Sequence, residues 1–539
     1  MKFNIVKSFL AASALVLSMG MTSCVNDLDV ENINPQQTSQ LDVDALFNKI
    51  YSSFVLTGQQ GPSDKGDIAG IDEGRSEFFR MCFSLNEYTS DEAHWIWLGD
   101  TGMSELLHNT YGADNAQSQG LYYRLYFTIT LCNFYLDQVN GTDAESLARR
   151  AEVRFIRSFV YYYVMDLYGS AAFMEHVSLT PGECYDRAKF FAYIESELKE
   201  IEPDLKDAGA NTYGRVDKVA AWNLLSRLYL NANVYIGKEM WDEAMTYADK
   251  VINNGHYALH TTGTTNPVTG EVYSAYQMLF LADNDTNGAQ KEMIYPVLCH
   301  GINTTSYGST DFLILSTYSG EMSENVPSGT GNSWGKCMRV RSELIDKFTH
   351  GGDLPQTKVL ADIITAAGDD RALFYTQGYT KNIDDEAEAA QGYSCVKFRN
   401  VRSDGASPSD NAFVDTDLPL MRVAEAYLTY AEASTRKSGP NAEATDKVNV
   451  LRARANAALF TENCTLDDLC DEWSREFWFE GRRRTDLVRF NRFGGQSKYT
   501  WHWMGGTVAG QQFPAYRNIF GLPVNDLANN ANLTQNPNY

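Results

Sequence analysis

Residues 144–167 place apolar side chains at Val153, Ile156, Val160, Tyr163, Val164 and Leu167. Steps of three and four line one face of an α-helix, so this stretch predicts a long amphipathic helix. The same spacing recurs at 121–139, 190–206, 216–235, 239–254, 418–436 and 442–455. In 239–254 the stripe is Trp241, Ala244, Met245, Ala248, Val251 and Ile252, with Gly255 behind it as a helix stop. The longest run, 466–490, opens on Thr465 and Asp468, the spacing of a capping box. Two close pairs, 216–235 with 239–254 and 418–436 with 442–455, carry Ala-rich stripes. They predict helix-turn-helix units of the tetratricopeptide kind.

Residues 58–120 and 257–415 break this pattern with clusters of Gly, Asn, Asp, Ser and Thr, as in "TGTTNPVTG" (262–270) and "ENVPSGTGNSWGKC" (324–337). They predict long loops with short strands. Loops of such length in a compact protein are usually functional or disordered, and the aromatics scattered through these favour function. A length of 539 residues alone suggests three or four domains. The pattern instead predicts a mainly α fold in one unit, 24–539, with a helical scaffold from 40–56, 121–256 and 416–490. Residues 58–120 and 257–415 supply its loop-rich face.

The N-terminus carries an expectation about compartment. Lys2 and Lys7 precede an apolar run, residues 9–21, too short to span a membrane comfortably, which reads as a secretory signal. It ends in Met21-Thr22-Ser23-Cys24, which resembles a lipobox; cleavage before Cys24 and lipidation of that residue are expected. Removing residues 1–23 takes away Lys2 and Lys7, so the formal charge of −24 becomes −26. So acidic a chain is unsuited to nucleic acid or an anionic membrane face, and contact with the membrane is expected through the lipid alone. The eight remaining cysteines form no Cys-x-x-Cys and no zinc spacing, and read as small buried hydrophobes.

In "DEAHWIWLGD" (91–100), Trp95 and Trp97 stand two apart. On an extended chain they share a face, which is either a core wedge or a binding platform. A pyranose offers one face of C–H groups and a rim of hydroxyls. It needs flat aromatic surface and nearby polar side chains, which Arg80, Asp91, Glu92 and Asp100 could supply. Tyr307, Tyr318 and Trp334 are further aromatic candidates, each beside Gly, Ser or Asn. Asp283-Asn-Asp285-Thr-Asn287-Gly288 opens like an EF-hand loop, but its twelfth position is Ile294, so an EF-hand is excluded. A looser Ca²⁺ site using Asp283, Asp285 and Glu292, or a loop of Asx turns, remains.

No catalytic fingerprint appears. In "WSREFWFEGRRRTDLVRF" (473–490), Glu476 and Glu480 lie one helical turn apart, but five interleaved arginines favour a structural ion-pair network over an acid/base pair. A glycosidase needs only two carboxylates across a cleft, so a hydrolase is not excluded by composition.

The segments "CVNDLDVENINP" (24–35), "RRAEVRFIRSFVYYYVMDLYG" (149–169), "GRVDKVAAWNLLSRLYLNA" (214–232), "ADKVINNGHY" (248–257), "LPLMRVAEAYLTYAEA" (418–433), "EFWFEGRRRTDLVRF" (476–490) and "LPVNDLANNANLTQNPNY" (522–539), in this order, resemble the SusD/RagB family of outer-membrane nutrient-binding lipoproteins. The resemblance implies a tetratricopeptide-like scaffold and a non-enzymatic role. It implies capture of an oligosaccharide at the cell surface beside a SusC-like TonB-dependent transporter, in company with other surface glycan-binding lipoproteins and an amylase. "TGQQG" (57–61), "IDEGRSEFFR" (71–80), "HWIWLGD" (94–100), "ADNDTN" (282–287) and "DTDLPL" (415–420) are similar to the starch-binding branch. That likeness implies an arc of Trp97, Trp334 and Tyr307 for malto-oligosaccharides, with Trp95 supporting or extending it and Arg80 hydrogen-bonding. Asp100 stands where the branch has an amide. The likeness also implies structural calcium at Asp283, Asp285 and Glu292 with Asp415 or Asp417.

Overall fold

The computed structural model describes residues 41–539, Asp64 excepted. Cys24 and the signal segment lie outside the described residues. Phe47–Tyr539 forms one compact unit.

The helical scaffold follows the sequence pattern closely. Ala116–Gln138 packs on Ala144–Tyr168, and that helix on Arg187–Ile201. Lys218–Leu230 packs on Trp241–Ile252, which lies against Ala424–Ser438 and, through it, Ala442–Arg454. Asn or Asp starts most of these helices: the side chains of Asn115, Asp143, Asp186, Asp217 and Asn441 each accept from a backbone N–H of the first turn. The capping box of Thr465 and Asp468 is present.

Three expectations are corrected. Residues 418–422 are a strand, Leu418–Arg422, paired antiparallel with Met293–Val297, and the helix begins only at Ala424. Pro419 carries no N–H for a helix interior. The run 466–490 is two helices, Leu466–Phe477 and Arg483–Arg489, because Phe479 (φ 62°) and Gly481 (φ 75°) take the left-handed conformation between them. The loop-rich stretches also contain two short helices, Phe78–Asn86 and Ser309–Thr317, in which every residue is buried. The second shows no amphipathic stripe, so periodicity alone passes over it.

These two buried helices position the candidate site. Glu77 caps the first, its carboxylate accepting from Arg80 N at 2.7 Å, and reaches across to Ser309 Oγ at 2.7 Å at the start of the second. Gly308 permits this approach: a Cβ there would lie 2.2 Å from Glu77 Cγ. Among the described residues no helix is long and apolar enough to cross a membrane. Their eight cysteines are all free, six of them buried.

Candidate functional site

Strand Ala93–Trp95 pairs antiparallel with Met338–Val340, and the pairing continues as Ile96 N donates to Cys337 O at 2.9 Å. This joins the two tryptophan-bearing segments, which lie far apart in the chain. Trp334 N and Lys336 N then donate to Leu315 O and Tyr318 O, tying the second segment to the end of helix Ser309–Thr317.

The result is a row of rings. Trp97 is 43% exposed and meets Trp95 edge-on, centroids 5.3 Å apart at 85°. Trp95 stands 6.3 Å from Phe312, Phe312 lies 6.2 Å from Trp334, and Trp334 lies 6.2 Å from Tyr307. Phe413 closes the row 5.5 Å beyond Tyr307. Trp334 and Tyr307 are half-buried. Such spacings are those of mutually packed aromatic pairs, so each ring steadies the next. The structure therefore brings Trp97, Trp334 and Tyr307 together, with Trp95, only 2% exposed, as the support beneath.

Tyr318 is fully buried and does not join the row. Nor do Asp91 and Glu92 face it. Asp91 pairs with Arg483 and Lys347, while Glu92 accepts from Ser474 Oγ and Phe479 N. Both carboxyls are buried in the scaffold, which removes them as partners for a sugar rim.

Arg80 lies behind the rings. Its guanidinium carbon sits 4.9 Å from the centroids of both Phe312 and Trp334, and Nη1 donates to Gly74 O at 2.9 Å and Tyr307 O at 3.0 Å. Burial, then the charge of Arg75, pulls its pKa down to about 10, so it stays charged at neutral pH. Nearby Asp311 has both carboxyl oxygens buried without a partner among the described residues, and burial pushes it well above the usual carboxylate range against the pull of Arg80. Asp100 spends one oxygen on its own support: Oδ2 accepts from Trp95 Nε1 at 2.9 Å and from Arg75 Nη2. The sequence reading missed Arg75, Phe312 and Phe413. Phe312 belongs to an apolar run, and no local signal sets it apart from core.

The acidic loop does not form the single cage the resemblance implies. Glu292 is fully buried and held by Arg422 and Arg454, at 3.1 and 3.0 Å, so its charge is already balanced. Asp283 turns its oxygens to Ser403 and Asn287. Asp415 accepts from Gly301 N and from Ser409 N and Oγ, and Asp417 from Cys299 N and the Tyr213 hydroxyl. Asp417 is pushed up to about 8, first by burial and then by the charges of Asp285 and Asp415. Among the described residues no three carboxylate, imidazole or thiol groups stand in a metal-binding arrangement, so the set of five does not fit calcium as expected.

The arginine-rich C-terminal run is structural. Glu476 faces Arg371, Arg422 and Arg454, and Glu480 faces Arg422 and Lys397, all buried. Burial raises the Glu476 carboxyl, but Arg454, Arg422 and Arg371 outweigh it and hold it at about 2. An acid so far below neutral cannot lend a proton at pH 7.

A model of the SusD family matches residues 316–539, and one described as starch-binding associating with outer membrane matches residues 28–230. The chain is 40% identical, over 572 aligned positions covering 100% of both proteins, to the starch-binding protein SusD of Bacteroides thetaiotaomicron. It belongs to the SusD family. The fold agrees with solved members at low identity. A SusD-like carbohydrate binding protein from Bacteroides fragilis has a TM-score of 0.68 at 18% identity, covering 91% of this chain and 98% of that one. Surface glycan-binding protein A from Bacteroides uniformis has a TM-score of 0.65 at 18% identity, covering 92% and 98%. The tetratricopeptide-like scaffold expected from periodicity is thus the scaffold of the SusD family.

Proposed function

We propose that the protein captures starch and malto-oligosaccharides at the cell surface and passes them to a SusC-like TonB-dependent transporter, without catalysing a reaction. The observation that carries this is the row Trp97, Trp95, Phe312, Trp334 and Tyr307, which ends in an exposed indole. α-1,4-Glucans curve, and their C–H faces suit a series of rings better than a single slot. If three rings each contribute about 1–2 kcal/mol, the dissociation constant falls near the millimolar range, weak enough for hand-over. The SusD relative, named as starch-binding, supports the substrate class. The pairing of Glu476 and Glu480 with arginines and lysine supports a binding role over hydrolysis.

Anchoring through lipidated Cys24 at the outer membrane belongs to the same proposal, supported by the lipobox and by the description of the matching N-terminal family model. Other surface glycan-binding lipoproteins and an amylase are its proposed company. The resemblance implies structural calcium, but among the described residues Asp283, Asp285, Glu292, Asp415 and Asp417 do not stand in a metal-binding arrangement, so calcium is left out of the proposal.

Isothermal titration with maltoheptaose and retardation in amylopectin affinity gels test the substrate. Heat of binding and retarded migration are expected. No response to either, with binding to a glycan of another linkage, would overturn the starch assignment.

A further inference from the structure

We propose that Arg75 is a ligand-contacting residue of this site, supplying a hydrogen-bond donor beside the acceptor of Asp100. The inference rests on the starch-binding reading above. Asp100 is a carboxylate beside Trp97, and an ionised carboxylate accepts hydrogen bonds but donates none. Its Oδ2 is already taken by Trp95 Nε1, at 2.9 Å, and by Arg75 Nη2. What Asp100 offers a ligand is Oδ1, an acceptor.

Arg75 offers the complement. It ends the short helical turn Glu73–Arg75, and its backbone N–H donates to Asp72 Oδ1 at 3.2 Å. Its side chain is 18% exposed and that of Asp100 25%, so both reach solvent. Among the described residues, the only side-chain hydrogen-bond partner of its guanidinium is Asp100, reached through Nη2, and Nε and Nη1 bond to none of them. Arg80 cannot serve in its place to the same degree. It is 8% exposed, stacked between two rings and bonded to two carbonyls. The charge of Arg75 is felt at Arg80, which puts the two guanidiniums in one neighbourhood.

A fixed donor beside a fixed acceptor matches a vicinal diol, in which one hydroxyl donates to Asp100 Oδ1 and its neighbour accepts from Arg75. The ion pair with Asp100 orients the guanidinium before any sugar arrives, which reduces the entropy lost on binding. Arg75 thus has two separable roles: holding Asp100 against Trp95, and meeting the ligand.

A double-mutant cycle separates them, read by titration with maltoheptaose. Asp100→Asn keeps an acceptor for Trp95 Nε1 but removes the ion pair. If Arg75 meets the sugar, Arg75→Gln weakens binding about tenfold both in the natural chain and in the Asp100→Asn background. Arg75→Lys, which keeps the charge and loses the fork, should recover only part of the loss. If Arg75→Gln weakens binding in the natural chain but not in the Asp100→Asn background, Arg75 acts through Asp100 alone and the assignment falls. Unchanged binding in both backgrounds overturns it too. Absence of any maltoheptaose binding by the natural chain would instead remove the starch reading, and this proposal with it. Thermal melts of each variant establish that the fold is retained.

Discussion

Trp95 and Trp97 differ by two positions and by almost everything else, so replacing each with alanine should separate binding from stability. Trp97 is 43% exposed. Of an indole's roughly 250 Å² of surface, that leaves about 100 Å² in solvent, of which a sugar ring covers about half. At about 25 cal/mol per Å² the covered face contributes a little over 1 kcal/mol, so Trp97→Ala should weaken maltoheptaose binding about tenfold. Its loss to the fold is the edge contact with Trp95, about 1 kcal/mol. Trp95 is 2% exposed, packs between Tyr88, Trp97 and Phe312, and donates to Asp100. Trp95→Ala should cost about 3–5 kcal/mol of stability. Calorimetric titration and urea unfolding, run on both variants, read the two quantities independently. The reasoning is refuted if Trp97→Ala binds like the natural chain, or if it destabilises the fold as much as Trp95→Ala does.

The buried ion pairs predict an acid-sensitive fold. The Glu476 carboxyl is held at about 2 against an ordinary 4.5, so its contribution of roughly 3 kcal/mol is complete above pH 4.5 and is lost as pH falls toward 2. Glu476→Gln, which leaves three arginines facing a neutral amide, should cost about 3–5 kcal/mol in urea unfolding at pH 7 and flatten the acid limb of the stability curve. Because Asp283, Asp285, Glu292, Asp415 and Asp417 form no cage, added Ca²⁺ should leave the melting temperature unchanged, and a rise reversed by chelator would overturn that reading. Cys24→Ala should release the protein from the outer-membrane fraction and end incorporation of labelled palmitate; continued membrane fractionation would overturn lipid anchoring at that residue.

The scaffold was readable because its helices are amphipathic and their starts carry Asn, Asp or Thr caps. The pattern at 144–167 is the helix Ala144–Tyr168, and that at 442–455 is Ala442–Arg454. Reading failed where burial is two-sided. Helix Ser309–Thr317 has no polar face, so nothing in its own sequence announced a helix, still less that Phe312 would join the row. Pro419 and Gly481 were signals of a strand and of a break that helical periodicity overrode. Arg75 was invisible for a different reason. Its partner Asp100 lies beyond helix Phe78–Asn86 and strand Ala93–Trp95, and no local pattern announces a pair so separated.

The acids of "DEAHWIWLGD" show why local chemistry misled while local geometry did not. Read alone, Asp91 and Glu92 are polar partners for the ligand that the two indoles would stack. In the fold they are anchors facing away from it. Asp91 is gripped by Arg483 and Lys347, Glu92 by Ser474 and the Phe479 N–H, and Arg341 Nε donates to Ala93 O. These bonds tie the strand to the helices of the arginine-rich run, and to helix Ser342–Thr349, before the chain reaches Trp95. Breaking a buried ion pair costs several kcal/mol, far more than one ring contributes to a weak glycan complex. The strand that leads to the proposed stacking ring is therefore held by more than the contacts proposed for it with ligand. Trp97 is presented in place at little entropic cost, and the affinity can stay low without the site becoming loose.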